Sequence, residues 1–269
     1  MSNKAMAVCY DTQSCIKCYS CVVACSVENR TRLQHSNSED VMISANRPMH
    51  HYNYLTVKTS EQGVFPNVKR IAALKHCFHC ENPKCMDICP TDAITKDETG
   101  AVLISESLCI GCQSCIDACP YDVPVFSKET GKTYKCVLCN DRLKAGLKTA
   151  CSEACPSVAI ISGTREEVVA ESKKRAEHYS KVFGKEYIVY GADKVNNHVG
   201  TLTYLTIAPK EDRDSYLLPE NPVSKTSIAR DVMKVVGVAG AAAVGVGIAA
   251  HTRHWAKNKE NSPYNHHED

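Results

Sequence analysis

Four thiols stand within eleven residues at Cys109, Cys112, Cys115 and Cys119, and Pro120 follows the last. Thiolates clustered in this way are soft metal ligands, suited to zinc or to iron–sulfur groups. Three more quartets occur in the 269-residue chain: Cys15-x2-Cys18-x2-Cys21-x3-Cys25, Cys77-x2-Cys80-x4-Cys85-x3-Cys89-Pro90 and Cys136-x2-Cys139-x11-Cys151-x3-Cys155-Pro156. Together they take sixteen of the seventeen cysteines. Structural zinc sites usually pair two separated C-x2-C hooks. Here three quartets close on Cys-Pro, and two hold three thiols at steps of three. Iron–sulfur chemistry is therefore the reading. A zinc-structured interaction protein is the alternative from a different class.

The C-x2-C-x2-C-x3-C-P run is that of bacterial ferredoxins, in which the fourth cysteine ligates the other cluster of a pair. A tight loop brings three thiolates to three corners of one cubane, and its backbone N–H groups form a nest for negative charge. Gly111 allows the positive φ that such a loop needs. The x3 step reads as a helical turn, which carries its last cysteine to the opposite side. Proline then ends the turn.

Between the second and third quartets, "PTDAITKDETGAVLISESL" fits a turn and a two-stranded hairpin. This resembles the connection in a two-cluster ferredoxin, so the ligands pair crosswise. Cluster one takes Cys77, Cys80, Cys85 and Cys119; cluster two takes Cys109, Cys112, Cys115 and Cys89. By the same rule, cluster three takes Cys15, Cys18, Cys21 and Cys155, and cluster four takes Cys136, Cys139, Cys151 and Cys25. "CPTDAI" and "CPSVAI" mark an internal repeat. Cys9, in the strand-like "AMAVCYD", reads as a small buried residue. His76 and His79 flank Cys77 and are placed to cover a cluster or bond to it; the other histidines read as surface or packing residues.

The remaining composition narrows the function. A net charge of +2 gives no basic excess for nucleic acid. No G-x-G-x-x-G or P-loop occurs, and no catalytic constellation accompanies the thiols. An odd cysteine count fits poorly with a disulfide framework. Residues 1–14 hold neither an apolar core nor a twin-arginine pair, so the chain is expected to be made in a reducing compartment. All-cysteine sites leave no open position for a substrate, so the chain reads as a non-catalytic electron conduit.

Four quartets in this order, with "HCFHCENPKCMDICP", "CIGCQSCIDACP" and "YKCVLCNDRLKAGLKTACSEACP", resemble the iron–sulfur (beta) subunits of molybdopterin oxidoreductases of the dimethyl sulfoxide reductase type. The likeness covers roughly residues 5–165. Some relatives replace one ligand by tryptophan and hold a three-iron cluster; all sixteen positions are cysteine here, which implies four [4Fe-4S] clusters. The ending, with the helix-like "GTREEVVAESKKRAEHYSKVFG", the strand "GTLTYL" and an apolar segment, is most similar to the beta subunit of membrane-bound formate dehydrogenase. The resemblance implies a molybdopterin (Mo or W) catalytic subunit on one side and a membrane cytochrome b with quinone on the other. The same role in a nickel–iron hydrogenase, or in another molybdopterin reductase complex, is the near alternative.

The expected fold is α+β, with two ferredoxin-like modules of two [4Fe-4S] clusters each, one inserted in the other, plus a C-terminal single transmembrane helix. Residues 1–30 and 121–165 form the split module and 66–120 the inserted one. Residues 31–65 intervene, 166–231 form an extension and linker, and 252–269 a polar tail. Residues 232–251 are the membrane helix, short of charge but for Lys234. Gly237, Ala241, Gly245 and Ala249 give it a small-residue stripe for packing on a multi-span partner. Trp255, Arg253, Lys257 and Lys259 read as an interfacial anchor. The expectation is a single-pass, membrane-anchored hetero-oligomer in the inner cell membrane. Its cluster domain lies on the periplasmic, outer side, exported on a partner's signal.

Overall fold

The computed structural model describes residues 5–29 and 53–226. The chain divides into two units, residues 1–224 and 225–269. The expected membrane segment 232–251 lies outside the described residues. Among the described residues no helix is long and apolar enough to cross a membrane.

A four-stranded sheet organises the first unit. It contains β1 (Met6–Asp11), β8 (Ile160–Thr164), β9 (Tyr187–Tyr190) and β10 (Tyr204–Pro209), in the order β8-β1-β10-β9. β1 runs parallel to β10 and antiparallel to β8, with Tyr10 opposite Ile160. β1 leads into the first cysteine quartet and β8 leaves the fourth. Their pairing therefore brings together two quartets more than a hundred residues apart. β10 lies inside the sheet, so part of the stretch expected as an extension at 166–231 supplies one of its interior strands.

The strands alternate, as a pleated backbone requires. Ala7 and Cys9 of β1, with Leu205 and Ile207 of β10, face a core shared with α6 (Arg165–Phe183). Val8, Tyr10 and Tyr204 face the opposite core, which holds Cys25 and Cys151. Cys9 is thus a core residue on the side away from the quartets, and burial pushes its thiol up to about 12. The expected amphipathic helix is α6: Thr164 and Glu167 form a capping box, and Gly184 ends it with φ 64.

Short helices occupy every x3 step: α1 (Ser20–Glu28), α2 (Lys84–Asp87), α3 (Ser114–Asp117) and α5 (Ala150–Glu153). α1 packs on α5, and α2 on α3. The expected hairpin joins β4 (Ile94–Lys96) to β5 (Val102–Ile104). Further hairpins are β2 (Thr56–Gln62) with β3 (Lys69–Lys75), and β6 (Val125–Ser127) with β7 (Lys132–Tyr134). α4 (Asn140–Lys144) fills part of the long step in the fourth quartet.

Asp11 fixes the way out of β1. Its side chain is buried and ion-paired with Arg175 of α6 at 3.4 Å. It accepts from the backbone N–H of Gln13 and Ser14 at 3.0 and 3.2 Å, and from the hydroxyls of Ser14 and Tyr179 at 2.9 and 2.8 Å. A buried acceptor shared by so many donors holds the loop that begins at Cys15. Asp11→Ala should therefore speed amide hydrogen exchange at residues 12–19 by about tenfold, the equivalent of ~1.4 kcal/mol. Unchanged exchange in that loop would remove Asp11 from this role.

Candidate functional site

The cysteines gather in four sets. One cavity is lined by Cys15, Cys18, Cys21 and Cys155, beside Tyr10 and Ile160. A second is lined by Cys89, Cys109, Cys112 and Cys115, beside Thr133. A third is lined by Cys25, Cys136, Cys139 and Cys151, beside Asn29 and Tyr204. Around Cys80 stand Cys77, Cys119 and Cys85; burial, then these three thiols, push its own thiol well above the ordinary range. Each set draws three sulfurs from one quartet and the fourth from another.

The sets adjoin one another in file. Burial pushes Cys21 up to about 12, with Cys151 of the neighbouring set the next influence. Burial raises Cys136 too, followed by Cys25 of its own set and Cys77 of the next. Cys85, raised by burial to about 12, feels Cys115 of the set beyond. The order is the Cys15 set, the Cys136 set, the Cys77 set and the Cys109 set. Both ends reach the surface, at exposed Cys18 and exposed Cys112, beside exposed Ile16 and Ile110. The inner pair is enclosed by His76, His79, Leu138 and Tyr204, each at most 2% exposed.

One backbone device recurs in all four loops. The residue two after the first cysteine is left-handed in each: Lys17 (φ 61), His79 (φ 48), Gly111 (φ 70) and Leu138 (φ 57). The residue three after the last cysteine is left-handed in three: Asp92, Asp122 and Val158. Side chains other than glycine rarely adopt this region, so the loops carry strain at matched positions. In two of the loops the turn aims an N–H back at the first sulfur. His79 N–H donates to Cys77 Sγ and Leu138 N–H to Cys136 Sγ, both at 3.4 Å. Gly111 was legible as such a position in the sequence; the other three carried no compositional signal.

Hydroxyls, an amide and lysines complete the surroundings. Thr149 Oγ1 lies 3.4 Å from Cys151 Sγ, and Ser20 Oγ 3.3 Å from Cys18 Sγ. Asn29 Nδ2 donates to Cys25 Sγ at 3.6 Å. Lys96 and Lys135 donate to the carbonyls of Cys80 and Cys136 at 3.0 and 3.2 Å, and Lys132 donates to that of Cys109. His76 donates from Nδ1 to the Cys77 carbonyl at 3.0 Å and stacks on Tyr204 with ring centroids 3.6 Å apart. His79 instead accepts at Nδ1 from Val102 N–H at 2.9 Å, so its proton sits on Nε2. Burial holds both imidazoles neutral, His76 down to about 4.

Within each set, buried sulfurs oppose one another's ionisation, which fits sites that complete themselves with positive metal. No three cysteine, histidine or acidic side chains among the described residues converge as ligands of a single ion would. Four sulfurs spread around a cavity suit a larger group, and they argue against a zinc site with its ligands at about 2.3 Å.

Comparison with known proteins agrees with that chemistry. The description "4Fe-4S dicluster domain" matches residues 69–165, and "4Fe-4S binding domain" matches residues 12–28. The chain is 31% identical over 265 residues to the iron–sulfur subunit of the nitrate-inducible formate dehydrogenase of Escherichia coli strain K12, covering 96% of this chain and 88% of that one. This protein belongs to the iron–sulfur subunits of molybdopterin oxidoreductases. Like its relatives, this iron–sulfur subunit holds [4Fe-4S] clusters, and its cysteine count is consistent with four. It is also 35% identical over 181 residues to the hydrogenase-2 operon protein HybA of Escherichia coli O157:H7, spanning 55% of that protein's length. The thiosulfate reductase electron transfer subunit PhsB of Salmonella typhi is 34% identical over 166 residues, with 59% of this chain and 75% of that one covered.

Gly111 tests the loop device in this subunit. A Cβ there would stand 2.1 Å from the Gly131 carbonyl oxygen, at a φ that side chains resist. Gly111→Ala should lose the iron and acid-labile sulfide of one cluster. Gly146→Ala, also at positive φ but with nothing within 4 Å, should keep them. Equal metal content in the two variants would contradict the close-approach argument.

Proposed function

We propose that this chain is the electron-carrying subunit of a formate dehydrogenase-type respiratory complex, holding four [4Fe-4S] clusters on the cross-paired cysteine sets. The observation that carries the reading is the file of four sets with surface-exposed ends. Bound there, each cluster supplies a one-electron redox site. The chain's own residues do the rest. Left-handed loop residues aim N–H groups at Cys77 and Cys136, and lysines donate to loop carbonyls in three of the four quartets. His76, His79, Leu138 and Tyr204 exclude water from the inner pair, while Ile16 and Ile110 give apolar rims to the ends. A molybdopterin catalytic subunit at one end and a membrane cytochrome b at the other complete the proposed route. Near-full-length similarity to the formate dehydrogenase subunit supports this choice over the other reductases.

The apolar run 232–251, with its small-residue stripe, is proposed as the membrane anchor, the cluster domain lying on the periplasmic side. A hydrogenase complex is the second reading, favoured by the 35% identity to the hydrogenase-2 protein.

Two variants test these assignments in the purified complex. Cys25→Ser should perturb the EPR signal of the cluster on Cys136, Cys139 and Cys151; loss of the cluster on Cys15, Cys18 and Cys21 instead would overturn the pairing. Gly245→Leu should release the membrane partner, and undiminished copurification would count against the anchor.

A further inference from the structure

Asp11 and Lys135 are the buried carboxylate and the buried ammonium among the described residues, at 1% and 2% exposed. Asp11 is answered by Arg175. Lys135 is not answered by a carboxylate among the described residues. Its ammonium donates to the main-chain carbonyls of Val102 and Cys136. A charge taken out of water is heavily penalised unless opposite charge lies near. Two carbonyl dipoles are a weak answer for a full ammonium.

The surroundings show where the opposite charge belongs. Lys135 precedes Cys136 of one inner set. Its charge is also the first influence opposing the rise of the Cys85 thiol, in the other inner set. Val102 ties the two sets together: its carbonyl accepts from Lys135, and its N–H donates to His79, inside the Cys77–Cys80 loop. Cys136 and Cys77 are themselves neighbours. The ammonium therefore sits where the two inner loops meet, fixed from both sides.

We propose that Lys135 is the shared counter-charge of the two inner clusters and sets their reduction potentials together. The inference rests on the four-cluster reading above. A cubane held by four thiolates is anionic, and more so by one charge when reduced. A fixed cation beside both clusters favours the reduced form of either, and burial prevents solvent from screening it. Lys96 and Lys132 also reach loop carbonyls, but neither is buried as Lys135 is. Lys135 acts on the clusters through space and through the loops, as a positioning and tuning residue.

The test uses the full purified complex with Lys135→Met, Lys135→Gln and Lys135→Arg. Iron and acid-labile sulfide are counted, and potentials are read by EPR-monitored redox titration. Cys25→Ser and Cys85→Ser identify the inner signals. In the two neutral variants, the reduced-to-oxidised ratio of both inner clusters at fixed potential should fall at least tenfold. That is a shift of about 59 mV for a one-electron couple. The outer clusters should hold their ratio, and Lys135→Arg should stay at the wild-type value. If the neutral variants lose inner clusters, retention in Lys135→Arg supports the counter-charge. Loss in all three variants, or unshifted inner potentials with full iron, overturns it. A wild-type complex lacking four clusters would instead refute the functional reading itself.

Discussion

Gathering four sulfurs in a buried space is unfavourable unless something positive lies among them. Each thiol that ionises makes the next ionisation harder, and burial adds to the penalty. The chain does this four times over, so its folding and its metal chemistry are one problem. The responses differ from set to set: inward-turned N–H groups at Cys77 and Cys136, hydroxyls beside Cys18 and Cys151, and lysines on the carbonyls of Cys80, Cys109 and Cys136. None of these equals the charge of iron, and together they prepare sites that iron must finish.

The sheet supplies the geometry. Quartets one and four are distant in sequence, yet β1 enters the first and β8 leaves the fourth, and the two strands are hydrogen-bonded neighbours. Quartets two and three need no such device, because the β4–β5 hairpin joins them directly. Contacts between α1 and α5, and between α2 and α3, repeat the same relation in both halves. The C-terminal third is structural in this arrangement. Thr203 and Tyr204 N–H groups donate to the Phe78 carbonyl at 3.0 and 3.1 Å, so the approach to β10 braces the second loop.

The contrast between inner and outer sets follows from the same packing. Inner sulfurs lie beneath histidine, tyrosine and leucine, where charge is poorly screened and a single lysine counts for much. Outer sulfurs reach solvent at Cys18 and Cys112, beside isoleucines that a partner surface would cover. Protection in the middle and access at the ends is what a conduit between larger subunits requires.

The sequence by itself determined the chemistry. Spacing grouped sixteen cysteines into four quartets, located the helical turns at the x3 steps, and placed β1, the β4–β5 hairpin and α6, because each is governed by neighbours a few residues away. Gly111 announced its own backbone conformation. Lys17, His79 and Leu138 did not, since their left-handed turns are imposed by the loop rather than preferred by the side chain. The ferredoxin-like spacing also carried the crosswise sharing of ligands as an expectation; only the tertiary structure decided that the sets stand in file and that Lys135 is buried where the inner two meet. Those facts depend on strands and loops far apart in the chain coming together, and no local pattern encodes that distance.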